Sequence, residues 1–178
     1  RFTITTNGGL RLFDPGYLDY YLLFDMVACS RYGELSKAYQ ARGTTLVTLA
    51  RSDYSLKRRG VDHFDEFLEL QRGGREFVRG GYADVGYSGL YCTMYAVNHG
   101  AHQVAWTGME GYRSTPEQPV DDHFHGQLGP DKGARQTQNI LGPFLQTVAD
   151  GCPDVEFRFY GQPLFPLVGP NITIIPEN

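Results

Sequence analysis

The sequence predicts an α/β fold, a single Rossmann-like domain with a mostly parallel sheet and helices on both faces. Three observations predict it. Short β-branched and aromatic runs alternate with longer segments of helical periodicity, the order expected when helices cross between parallel strands. The run Tyr20–Phe24 carries no polar alternation, as in a strand buried on both faces. The chain has 178 residues, 41% hydrophobic and 20% charged, which suits one domain with a sizeable core.

The elements follow in order. Phe2–Thr6 reads as a strand, and Asn7-Gly8-Gly9 as the turn that ends it. Tyr20–Phe24 is a second strand ending at Asp25. A helix is expected from near Val27 to Gln40, with Gly43 as its stop. Thr45–Leu49 is the third strand, followed by Arg51, Ser52 and Asp53. Phe64, Phe67, Leu68 and Leu70 form an apolar stripe that predicts a helix over 62–72, closed by Gly73-Gly74. Residues 73–87 are glycine- and tyrosine-rich and read as loop, with Ser88 as the cap of a helix ending at Asn98-His99-Gly100. Val104–Trp106 is the next strand, and 111–132 shows no periodicity, a length at which loops are usually functional. A helix is expected over Ala134–Ala149, bent or split at Gly142-Pro143. Val155–Tyr160 and Ile172–Ile175 are the last strands.

Composition narrows the partners. A net charge of −4 gives no general attraction for nucleic acid or anionic membrane, and no apolar run approaches a bilayer span of ~20 residues. Cys29, Cys92 and Cys152 are odd in number and widely spaced. They read as small buried hydrophobes rather than disulfides or zinc ligands, and suit the reducing cytoplasm. In parallel sheets ligands bind beyond the carboxyl ends of the strands, so Asn7, Asp25, Arg51 and Glu110 with Tyr112 are candidates, together with the helix start at Gly86-Tyr87-Ser88-Gly89.

The stretch Ser88-Gly89-Leu90-Tyr91, its helix, His99-Gly100-Ala101 and then Trp106-Thr107-Gly108-Met109-Glu110-Gly111-Tyr112 resembles a known succession. It resembles the run of bacterial sialyltransferases of glycosyltransferase family 42, and of the related domains similar to 6-hydroxymethylpterin diphosphokinase. "ITTNGGL", "YYLLFDMVACSRY" and "VEFRFYGQPLF" resemble further parts of the same pattern, in order along nearly the whole chain. Family members open with a strand and a "G-x-G-P-S-L" phosphate loop upstream of the matching asparagine. The resemblance therefore implies a domain, 1–178, that lacks its first strand and that loop.

The resemblance implies roles residue by residue. Asn7 matches an asparagine that touches the nucleotide; its plain structural role is a turn residue with a left-handed backbone. Asp25 matches an asparagine in the sialyltransferases and an acid in the diphosphokinase-like domains, with a helix N-cap as the plain alternative. Ser88 and Gly89 match a Ser-Gly pair whose amides, at a helix start, hold an anion. Tyr112 matches a tyrosine that donates to the leaving phosphate, and Glu110 either orients its loop or faces a cation. Gly86-Tyr87 departs from the Arg-x-Thr of the sialyltransferases.

The family places its general-base histidine in the loop that here reads "DDHFHGQLGPDKG", where His125 is the first choice and His123 the second. The other histidines, His63, His99 and His102, sit at helix ends or starts. The implied activity is sugar transfer from a CMP-activated donor to a small or glycan hydroxyl acceptor, without a metal cofactor. The alternatives are a Mg-ATP-dependent diphosphokinase-like enzyme, in which Asp25 and Glu110 face the cation, and a non-catalytic domain of the same fold. The stretch "GGYADVGY" (80–87) reads as lining an acceptor groove or as a subunit contact in a homo-oligomer.

Overall fold

A computed structural model describes residues 2–24, 26–50, 57, 63–71, 76–109, 122–123, 126–127 and 137–176. The chain divides into two compact units, Arg1–Arg72 and Gly73–Asn178. Both are α/β, each with a sheet of parallel strands and helices between them, the Rossmann-like class that the alternation predicts.

The first unit holds β1 (Ile4–Thr6), β2 (Tyr20–Leu22), β3 (Thr45–Leu49) and β4 (Glu66–Leu68), in that spatial order and all parallel. A 3-10 helix, Asn7–Leu12, leads from β1 toward β2, and α1 (Met26–Gln40) crosses from β2 to β3. Leu10, Tyr21, Leu23, Tyr32, Tyr39 and Leu46 are buried together as its core. Two threonines satisfy carbonyls at the carboxyl end of β2. Thr6 donates to the Leu22 carbonyl and Thr48 to that of Leu23, each at 2.7 Å. The helix stops where the sequence indicates. The Thr44 amide reaches the Tyr39 carbonyl and the Gly43 amide that of Gln40, a turn closed by Gly43 at φ 98°.

The helix expected over 62–72 is corrected: Glu66–Leu68 is a strand. Asp65 decides the matter. Its amide donates to the Leu46 carbonyl, and its carboxylate accepts from the Leu46 amide at 2.8 Å and from Gln40 Nε2 at 2.9 Å. These bonds lay the segment along β3, so pairing overrides the helical spacing of the apolar residues. Leu68 then turns inward while Phe67 stays 45% exposed.

The second unit contains α2 (Ser88–Asn98), β5 (Gln103–Trp106), α3 (Gly142–Gly151), β8 (Glu156–Tyr160) and β9 (Ile172–Ile175). Its sheet runs β5-β8-β9, all parallel. Between β5 and α3, two short strands, β6 (Asp122–His123) and β7 (Gly126–Gln127), pair antiparallel, a ladder that the absence of periodicity over 111–132 did not reveal. The split expected at Gly142-Pro143 is present. A π-helical turn over Thr137–Leu141 gives way to α3, with Pro143 in its first turn, where a missing N–H costs nothing.

The core of this unit is aromatic. Trp106 stacks on Phe157 with centroids 4.9 Å apart, and Phe159 meets the edges of both Trp106 and Phe165. Along β5 the buried Val104 and Trp106 alternate with exposed Gln103 and Ala105. Asn171 ties the sheet to α3: its Nδ2 lies 3.0 Å from the Ala149 carbonyl and 3.1 Å from those of Cys152 and Val155. The Ala149 and Cys152 oxygens, at the end of α3, also accept the Cys152 and Val155 amides, so Asn171 adds a second donor to each. Asn171→Ala is therefore expected to lower the stability of this unit by about 1–3 kcal/mol in urea unfolding, and a change near zero would show that water replaces the amide. Among the described residues, no helix is long and apolar enough to cross a membrane.

Candidate functional site

Two candidate positions are described, the strand end at Asn7 and the helix start at Ser88-Gly89, and they belong to different units; Arg51 lies outside the described residues. Asn7 follows β1 directly, at the carboxyl end of the first sheet. Its φ of 51° is left-handed, the conformation that asparagine tolerates better than most residues. Its carbonyl accepts from the Tyr21 hydroxyl at 3.0 Å, and its Oδ1 lies 3.4 Å from Thr6 Oγ1. The left-handed turn role is thus fulfilled, and the side chain sits beside the strand-end threonine.

In the second unit, α2 begins at Ser88, with Tyr87 as its N-cap in an extended conformation. Ser88 is not the capping residue that the sequence suggests but the first residue of the helix. The shift arises because the Tyr87 carbonyl takes up the amides of Leu90 at 3.1 Å and Tyr91 at 3.3 Å. Gly89, one residue further, packs closely. A Cβ there would lie 3.0 Å from Met109 Cε, 3.3 Å from its Sδ and 3.4 Å from the Tyr87 ring. Met109 stands three residues beyond the end of β5. The amino end of α2 and the carboxyl end of β5 are therefore in contact through Gly89.

A buried relay fixes the same approach. Trp106 Nε1 donates to Thr93 Oγ1 at 3.1 Å, and Thr93 in turn donates to the Gly89 carbonyl at 3.1 Å. The helix amino end carries partial positive charge. Such a corner can seat an anion.

Asp25, Glu110, Tyr112 and His125 lie outside the described residues. His123 is placed in β6, paired with Gly126, as a backbone position alone. Among the described residues no three His, Cys, Asp or Glu side chains come together as a metal cage would need. Cys92, on α2, has its thiol pushed up to about 12 by burial, so it stays protonated near neutrality and offers no nucleophile.

A concavity of about 350 Å³ lies at the amino end of the second sheet, lined by His102, Asp154, Glu156, Asn171 and Thr173. Its carboxylates are already engaged. Arg79 holds Asp154 at 2.6 Å, and Arg158 and Gln103 hold Glu156; these hydrogen bonds keep both carboxyls below their usual range. Ligands of parallel sheets bind at the other end.

Sequence reasoning missed the way 80–87 is organised. It runs beside α2, fastened by Asn98, Met94 and Tyr91. The only signal in the sequence was the helical spacing of those three residues. The chain matches no protein-family model, no curated protein and no solved structure.

Proposed function

We propose that the protein is a nucleotide-dependent transferase that moves a sugar from a CMP-activated donor to a hydroxyl acceptor. One observation supports it above the others: the amino end of α2 packs through Gly89 against Met109, at the carboxyl end of β5. In an α/β sheet this corner is where a phosphate is held and where reacting groups gather. The sequence places Glu110 and Tyr112 immediately beyond it. The resemblance to family-42 sialyltransferases names the ligand class, and Gly89 and Met109, one residue from each of two motifs that carry it, are in contact at this corner.

The chemistry follows from the residue types. The acceptor oxygen attacks the anomeric carbon as the bond from that carbon to the phosphate oxygen breaks, and CMP departs. His125, with His123 as second choice, takes the acceptor's proton, since imidazole titrates near neutrality. The Tyr112 hydroxyl donates to the phosphate oxygen as charge develops on it. Amides at Ser88 and Gly89 hold the phosphate. No step needs a metal.

The acid at position 25 favours a second reading, in which the protein uses ATP with Mg²⁺ and Asp25 faces the cation. Isothermal titration with CMP and with ATP, each in EDTA and in Mg²⁺, separates the two. CMP binding that survives EDTA and weakens in Tyr112→Phe supports the sugar transferase. ATP binding that requires Mg²⁺ and is lost in Asp25→Ala supports the kinase-like reading. Absence of binding to either nucleotide would overturn both and leave a binding or assembly domain.

A further inference from the structure

Asn171-Ile172-Thr173 is the single occurrence of the pattern Asn-x-Ser/Thr in the chain. That pattern is the acceptor for N-linked glycans, and its usual setting is an open surface loop, because the glycan is bulky. The structure puts this asparagine in a different setting. Asn171 stands immediately before β9 and is half-buried. Its Nδ2 lies 3.0 Å from the Ala149 carbonyl and 3.1 Å from those of Cys152 and Val155. Two amide hydrogens serve three oxygens, so both N–H directions are in use. The backbone is committed as well: the Asn171 carbonyl accepts from the Phe157 amide at 2.8 Å, at the start of the β8–β9 ladder.

Asn171 thus joins three things at one point: the end of α3, the turn that follows it, and the first pair of the ladder. A sugar on Nδ2 replaces a hydrogen with a carbon. Along either N–H direction that carbon would fall well inside contact distance of a carbonyl oxygen, so the side chain would have to leave its three partners. Thr173, two residues on, is exposed on β9 opposite Arg158. A substituent on its hydroxyl meets no such enclosure.

We propose that Asn171 is a cryptic glycan acceptor: it takes an N-linked sugar only before the second unit folds, and a sugar already in place keeps the unit from closing. In transfer from a lipid-linked oligosaccharide, the bond between the anomeric carbon and the pyrophosphate oxygen breaks as that carbon bonds to Nδ2. The amide gives up one proton and the lipid pyrophosphate departs. The folded chain withholds the nitrogen from this step, because all of its donor capacity is spent on the connection between α3 and β8. The inference rests on Asn171 and its partners alone and stands or falls independently of the transferase reading.

Gly151-Cys152 offers a junction for native chemical ligation, so the full chain can be assembled from 1–151 and a synthetic 152–178. Three chains are compared: unmodified, with N-acetylglucosamine on Asn171 Nδ2, and with the same sugar on the Thr173 hydroxyl. Urea unfolding is followed by emission of Trp106, which stacks on Phe157 of β8. The unmodified and Thr173-linked chains should share one midpoint. The Asn171-linked chain should show a midpoint at least about 1 M lower, or no cooperative transition. A second arm reads the transfer itself, with a single-subunit oligosaccharyltransferase and a lipid-linked oligosaccharide. The tryptic peptide 159–178 should be glycosylated at least ~100-fold faster than the folded chain, which exposes the amide only by opening. An Asn171-linked chain as stable as the unmodified one, equal losses from the two sugars, or a folded chain modified at the rate of the peptide would overturn the proposal. So would a peptide that accepts no sugar.

Discussion

Replacing Phe157 by alanine is expected to destabilise the second unit by about 3–5 kcal/mol, the usual cost of a cavity left by a fully buried aromatic ring. Phe157 is 0% exposed and stacks on Trp106 at an interplanar angle of 21°. Phe157 belongs to β8, the middle strand of the sheet, so neighbours on β5 and β9 cannot close over the void without breaking register. Urea unfolding checks the magnitude. Trp106 is the single tryptophan, so its emission reports the stack directly. Phe157→Leu, which keeps most of the volume, should recover more than half of the loss. A destabilisation below about 1 kcal/mol for the alanine variant would mean that this aromatic cluster is not the core of the unit.

The second large effect concerns the base. If sugar transfer proceeds as proposed, His125→Ala should lower the rate by a factor of about 10²–10⁴, the range set by loss of a positioned general base. His123→Ala should change it little. The pH profile distinguishes loss of the base from general disruption. The unmodified enzyme should lose activity on the acid side as the imidazole protonates, and that limb should vanish in His125→Ala. If His123→Ala removes the limb instead, the two histidines exchange roles. If neither variant does, the loop does not supply the base.

Legibility in the sequence varied with how local the determining forces were. β3 and β9 stand where their β-branched residues indicated, and α1 ends at Gly43 because only a residue tolerant of left-handed φ closes that turn cheaply. β4 was misread as helix because Phe64, Phe67, Leu68 and Leu70 fit a helical stripe. What overrides that spacing is Asp65 bonding to β3, about 20 residues earlier, which no local pattern reveals. The β6–β7 ladder was invisible because two residues per strand give no periodicity.

At the site, motif reading located Ser88-Gly89 and the end of β5 separately, and their contact through Gly89 and Met109 follows from the parallel sheet. The stretch 80–87 is loop, as the sequence indicates, but its fastenings were not legible, because Tyr91, Met94 and Asn98 look like ordinary core and cap residues of a helix. Ser88 shows the finer limit. A serine before an apolar helix looks like a cap, yet the Tyr87 carbonyl starts the helix one residue earlier.

The central claim is that a nucleotide phosphate sits where the amino end of α2 meets the carboxyl end of β5. Titrating CMP into ¹⁵N-labelled protein in EDTA, and following the Ser88, Gly89 and Met109 amides, tests it most directly. The account predicts saturable shifts at these three amides with one common Kd, while amides of His102 and Asn171, at the opposite end of the second sheet, stay still. Shifts confined to His102, Asn171 and their neighbours, or no saturable shift at Ser88, Gly89 and Met109, would contradict it.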